Sequence, residues 1–192
     1  MFDAVRATDS ERRAARPGDE IVAPADVVMD RAFTVAATPA AVWPWLVQLG
    51  KQRAGWYLPR SIERMLPRSR RAIRHIDPRW QHLAIGDVIP DYGGREETFE
   101  VAALSPGRLI VYVSQRGRTS LSWAILLEPE TAGGPATHCR VLLRLRLAPV
   151  RRRWLARSVG ELFDALTIAG MAAGLRERVA AAGQVSDQPT RR

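Results

Sequence analysis

The sequence predicts an α+β fold in which a curved antiparallel β-sheet is covered by one long C-terminal helix. Three observations lead there. An alternating segment around Phe33 runs into a Thr-Pro helix start, and five later segments with strand character are separated by turns. From Arg152 to about Ala181 nothing interrupts a helix.

The elements follow in order. In Arg31–Ala36, Phe33 and Val35 face one way and Ala32 and Thr34 the other, the pattern of a half-buried strand. Thr38 then serves as an N-cap, with Pro39 at the first helical position, where its missing N–H costs nothing. The helix reaches about Leu49, is apolar at Val42, Trp45, Leu46 and Leu49, and stops at Gly50. A second helix is expected over Leu58–Leu66, followed by a basic loop to Arg74. Strands are expected over Asp87–Pro90, Thr98–Leu104, Arg108–Ser114, Ser120–Leu127 and His138–Leu147. Gly93-Gly94, Pro106-Gly107 and Gly117 mark turns between them. In the last strand Val141, Leu143, Leu145 and Leu147 line one face and Arg140, Arg144 and Arg146 the other, so these arginines are expected on a solvated outer face. Exchanging Arg144 and Arg146 for Gln should then cost less than about 1 kcal/mol. Along the final helix Leu155, Val159, Leu162, Leu166, Ala169 and Ala173 recur at spacings of three and four, the expected buried stripe.

A chain of 192 residues, 46% hydrophobic and 26% charged, suits one domain that buries about two-thirds of its unfolded surface. Residues 1–26 carry no sustained periodicity and are expected to be a flexible, dispensable tail. The domain proper is expected over 27–182, with a disordered end at 183–192. A single cysteine, Cys139, excludes a disulfide framework and a Cys-based zinc site. Glu161 and Asp164 interrupt the most hydrophobic stretch, and Met1–Glu20 lacks an apolar signal core, so neither a membrane span nor secretion is expected. The expected compartment is the cytoplasm.

The net charge of +9 would ordinarily suggest nucleic acid. Lys51 is the only lysine, however, and the 28 arginines lie in scattered clusters, a pattern of GC-rich codon usage on an ordinary surface. No nucleic-acid partner is therefore expected. The segment Arg151–Leu155, with Trp154 among its arginines, could also begin a basic helix or touch an anionic membrane surface.

Catalytic templates give little. No nucleophile elbow, phosphate-binding loop, dinucleotide-binding glycine run or His-Glu-x-x-His helix occurs, and His75, His82 and His138 lack ligand spacing, so no cofactor or metal is expected. Asp87, Asp91, Glu100, Asp164, Tyr57 and Tyr92 are acid–base candidates by position, with Asp87 read as a turn residue and Asp164 as a solvent-facing helix carboxylate. No catalytic pair can be assigned from spacing. The tryptophans Trp43, Trp45, Trp56, Trp80 and Trp123 stand out, and Trp123 is in phase with Leu121, Ile125 and Leu127, pointing inward.

Several local motifs occur in a shared order. Thr38–Leu46, then Gln48-Leu49-Gly50 with Arg53–Tyr57, then Ile76-Asp77-Pro78 with Gln81, Leu83, Gly86 and Asp87, are followed by Ser122-Trp123, Arg144–Arg146 and Gly174–Arg176. Over residues 28 to 181 this order resembles the START-related, birch-pollen-allergen-like (SRPBCC) superfamily, in its polyketide cyclase/dehydrase-like bacterial branch. It departs from that branch at Leu58-Pro59-Arg60, where a polar continuation after the tyrosine is common. The resemblance implies a helix-grip fold with a cavity between sheet and C-terminal helix. It also implies binding of a hydrophobic small molecule, lipid or polyketide-like. The alternative is a cyclase or dehydratase acting on such a compound, and a membrane- or nucleic-acid-surface protein is the third possibility. On this view Trp123, Leu143, Leu145, Leu162, Leu166 and Gly170 line the cavity, Gly170 leaving room that a side chain would fill, so that Gly170→Phe should abolish binding while the fold survives.

Overall fold

The computed structural model describes residues 2–94, 96–131, 136–151, 154 and 156–186. Six strands, β1 (Val27–Val35), β2 (Val88–Pro90), β3 (Thr98–Ser105), β4 (Leu109–Arg116), β5 (Thr119–Glu130) and β6 (His138–Ala148), form one antiparallel sheet. Their spatial order is β1-β6-β5-β4-β3-β2. Every expected strand is present, with ends moved by a few residues. Phe33 lies opposite Val141, Leu143 opposite Ile125 and Trp123 opposite Tyr112. This register puts Phe33, Val141, Leu143, Ile125, Ile110 and Val101 on the concave face, each at most 2% exposed. Each such side chain contributes about 1.5–3 kcal/mol by leaving water. A bulge between Val101 and Ala103 sharpens the twist of β3.

Helix α1 (Asp9–Arg13) precedes the sheet, while α2 (Pro39–Gln48) and the single turn α3 (Arg60–Glu63) lie between β1 and β2. Thr38 Oγ1 accepts from the Ala41 amide at 3.3 Å, the expected cap. α3 is shorter than the expected Leu58–Leu66 helix because the chain enters it only after Pro59 and turns back through Met65 and Leu66. The long helix α4 (Glu161–Ser186) completes the helix-grip arrangement and follows a wider, π-type turn at Ala156–Gly160. It continues past its expected end near Ala181, into the stretch from 183 expected to be disordered. Residues 187–192, and Arg152, Arg153 and Leu155 of its expected start, lie outside the described residues. By length and hydropathy Ser158–Gln184 would suffice to cross a membrane, despite Glu161 and Asp164. In this fold Ile168, Met171, Ala172, Leu175 and Val179 instead join the core formed on the concave face.

The N-terminal segment corrects two expectations. Residues 4–26 are neither a free tail nor clear of the sheet. Val5 enters the main core, Arg6 bridges Arg31 on the edge strand β1, and Ala7 joins a second, smaller core on the convex face with Ala32, Val111, Ala124, Leu126 and Leu142. A capping box fixes α1: Thr8 Oγ1 accepts from the Glu11 amide at 3.2 Å, and the Glu11 carboxylate accepts from the Thr8 amide at 2.7 Å. Gly18 (φ +90°) approaches so closely that a Cβ there would lie 2.8 Å from Val111 Cγ1.

The arginines expected in solvent hold this segment down. Arg144 is 4% exposed. Its Nε donates to Asp30 at 2.7 Å, and its terminal nitrogens donate to Asp19 and to the carbonyls of Glu11, Arg12 and Ala14 at 2.7–3.2 Å. All five guanidinium N–H groups are thereby used. Arg140 pairs with Glu11 at 2.8 Å, and Arg146 Nε donates to the Val22 carbonyl at 3.0 Å. The strand register was read correctly; what lies on it was not. The segment is attached mainly through carbonyl oxygens rather than an apolar stripe, so hydrophobic periodicity does not reveal it.

Candidate ligand-binding site

A buried polar hub fixes the loop that carries half of the site. Gln48, fully buried on α2, donates through Nε2 to Tyr57 Oη and to the His75 carbonyl, both at 3.1 Å, and its Oε1 accepts from the Asp77 amide at 3.0 Å. Tyr57 Oη in turn donates to the Trp45 carbonyl at 2.8 Å. Burial pushes the Tyr57 hydroxyl well above its ordinary pKa, so this acid–base candidate stays a neutral structural donor. The loop between Gly50 and Gly55 closes on itself through paired backbone hydrogen bonds, with Gln52 at φ 62°. Trp56 leaves it directed at the sheet.

There Trp56 meets an aromatic cluster on the concave face. Trp123 is central: its ring centroid lies 5.7 Å from Tyr112, 5.9 Å from Phe99 and 6.2 Å from Trp56. Tyr92 stands edge-on to Trp56 at 6.5 Å and is 55% exposed. Leu49, Ile89 and Pro90 complete the walls of a cleft whose rim carries Lys51 and Asp91. Trp56 Nε1 donates to the Thr167 carbonyl of α4 at 3.4 Å, tying the cleft to the long helix. The rings nearly fill the cleft. Its free space is about 30 Å3, room for two or three water molecules.

Of the residues expected to line a cavity, only Trp123 borders this cleft. Leu145 is its cross-strand neighbour on β6, and Leu143, one pair further along, is closed into the main core. Leu162 and Leu166 are 50% and 45% exposed on the outward side of α4. The helix turns Ala165, Ile168, Ala172, Leu175 and Val179 inward instead. That face mixes small and large residues, and Ala169 of the expected stripe lies on it, but Leu162 and Leu166 sit about one residue step, roughly 100°, out of its phase. Gly170 opens no cavity: a Cβ there would meet Leu58 Cδ2 at 2.9 Å, and one on Gly174 would come within 2.5–2.7 Å of the Leu58 backbone. Gly170→Phe is therefore expected to overpack this contact rather than plug a void.

The remaining candidates do not converge. Asp87 Oδ2 accepts from the Ala84 amide at 2.9 Å, its expected turn role, and Glu100 is exposed. Asp91 is ion-paired with Arg116, which also lies 3.2 Å from Glu97. Asp164 is not solvent-facing: it pairs with Arg31 of β1 at 2.8 Å, and burial pushes its carboxyl up against that cation's opposing pull. Among the described residues no three His, Cys, Asp or Glu side chains converge as a metal site. Phe99, Tyr112 and Lys51 were missed. Tyr112 shares the inward phase of Ile110, and pairing β4 with β5 would have placed it beside Trp123.

The fold and cleft define a helix-grip protein with an aromatic-lined opening at one end of its sheet. The element order implied by the sequence resemblance is the order found. No family model and no curated protein matches the chain. Among solved structures it is similar to a protein from Thermobifida fusca, with 18% identity, a TM-score of 0.49, and 80% of this chain and 93% of that one covered. It is also similar to a polyketide-cyclase-like protein from Corynebacterium glutamicum, with 12% identity, a TM-score of 0.38, and coverage of 86% and 94%. The Aha1 dimer from Colwellia psychrerythraea aligns with 12% identity, a TM-score of 0.45, and coverage of 78% and 98%. Identity at this level says nothing of a common ligand.

Proposed function

We propose that the protein binds a small hydrophobic molecule by inserting it among Trp56, Tyr92, Phe99, Tyr112 and Trp123. The observation that carries this is the aromatic cluster itself, which stays open to solvent at Tyr92 and Trp56 instead of being sealed into the main core. Stacked rings offer large contact area at little conformational cost, the usual surface of an apolar ligand site. The free space is too small for such a ligand, so binding requires the exposed Tyr92 ring to swing outward. Tyr112, 4% exposed, also borders the cleft, and its phenol is the polar group placed to orient a ligand oxygen in this reading.

A neutral dye such as Nile red tests the reading. Wild-type protein should bind it with a low-micromolar Kd, about −8 kcal/mol, and quench tryptophan emission on saturation. Tyr92→Ala should speed association by removing the obstruction. Absence of saturable binding in both proteins would overturn the proposal.

A further inference from the structure

The aromatic cleft opens into a second, wider groove of about 650 Å3 that shares Lys51, Trp56 and Tyr92 with it. The groove is lined by four cations, Lys51, Arg53, Arg70 and Arg71, and by no carboxylate. Asp91, the acid on the neighbouring rim, is engaged by Arg116. Lys51 Nζ donates to the Asp91 and Gly94 carbonyls at 2.8 and 3.1 Å, which fixes its ammonium at the junction and leaves one of three donors unused. Arg53 donates to the carbonyls of Val47 and Trp80 at 3.1 and 3.0 Å, yet its Nε is buried without a hydrogen-bond partner. Arg71 is anchored to the Leu66 and Arg64 carbonyls at 2.9 and 3.0 Å, whereas the exposed Arg70 guanidinium engages no partner among the described residues. Four cations beside an apolar cleft, with no carboxylate among the residues lining the groove, make a subsite for negative oxygen.

We infer that the ligand is an anionic amphiphile: its apolar part enters the aromatic cleft and its carboxylate or phosphate head lies in the groove between Lys51, Arg70 and Arg71. This rests on the apolar-binding reading above and adds a charge requirement to it. Arg70 is the specificity-determining residue that can be tested most cleanly, because nothing in the fold depends on it.

The experiment is displacement of Nile red by three ligands with one ten-carbon chain: decanol, decanoate and decyl phosphate. Wild-type protein should prefer at least one anion over decanol by about tenfold at low salt, the preference shrinking as salt screens it. Whichever anion leads identifies the head group. Arg70→Gln should lower that preference severalfold. Arg68→Gln removes the same charge from the same turn but outside the groove, and should leave the preference intact. Equal binding of all three ligands would overturn the anionic subsite while sparing the apolar site. Equal loss in Arg68→Gln and Arg70→Gln would reduce it to a general field of the protein and overturn it as well. Nile red that fails to bind at all would refute the underlying apolar reading.

Discussion

Replacing Arg144 with Gln strips five hydrogen bonds from a side chain only 4% exposed, and the cost can be worked partner by partner. Asp30 would be left with Arg16 at 3.6 Å, and Asp19 with Arg146 at 3.4 Å. The Glu11 carbonyl keeps a bond from Arg16 at 2.8 Å, but those of Arg12 and Ala14 lose the guanidinium that bridged them. Removing one partner of a buried ion pair costs about 3–5 kcal/mol. The shorter Gln amide can recover roughly one neutral hydrogen bond, about 1 kcal/mol, which leaves about 2–4 kcal/mol. At about 2–4 °C per kcal/mol for a chain of this size, Tm should fall by roughly 4–16 °C. Thermal and urea melts followed by circular dichroism measure this directly. A double-mutant cycle with Asp19→Asn should show coupling of about 1–3 kcal/mol, since the two groups lie 2.8 Å apart. A loss below about 1 kcal/mol with an unchanged denaturant slope would refute the buried-clamp picture and restore a solvated arginine face.

Two glycines of α4 should respond oppositely to alanine. Gly174→Ala drives a methyl into the Leu58 backbone and should destabilise by more than about 2 kcal/mol, whereas Gly183→Ala, with open space around it, should stabilise by up to about 1 kcal/mol in urea melts. Burial pushes the Cys139 thiol up to about 12, so an aromatic disulfide reagent at pH 8 should label it only in denaturant; rapid labelling of native protein would contradict its burial. Burial also raises the hydroxyls of Tyr57 and Tyr112. These groups hold their protons more tightly folded than unfolded, so stability is undiminished below about pH 8 and falls as pH rises past the unfolded thiol and phenol values. Tyrosinate absorbance from the two buried tyrosines should accordingly appear together with loss of structure, so that only the share belonging to exposed Tyr92 comes ahead of it.

The strands were legible because β1 and β6 alternate and because Gly93-Gly94, Pro106-Gly107 and Gly117 punctuate the segments between them, and Thr38-Pro39 announced α2 through capping chemistry alone. Trp123 was legible for the same reason: its phase relative to Leu121 and Ile125 settles which way it points. The rest of the cleft was not. Trp56, Tyr92, Phe99 and Tyr112 come from separate segments, and only strand register and the Gln48 hub bring them to one place. The phase of α4 was only partly legible: Ala169 of the expected stripe is buried, but Leu162 and Leu166 face outward while Ala165, Ile168, Ala172 and Leu175 pack inward. The N-terminal segment was missed because backbone carbonyls leave no trace in a residue pattern.

The contacts that Arg144 makes with residues 11 to 14 span 130 to 133 positions of the chain. During synthesis residues 11 to 14 therefore leave the ribosome with no Arg144 to anchor them until the sixth strand has followed. At about 5–20 residues per second that interval is roughly 6–26 s, and such distant pairings form late in folding as well. Throughout it Arg12, Arg13 and Arg16 are open to a trypsin-like protease, and once β6 is in place Arg16 is only 6% exposed. Protection of Arg16 against cleavage thus serves as a clock for completion of the sheet: a nascent chain halted before His138 is clipped there, and a finished one is spared.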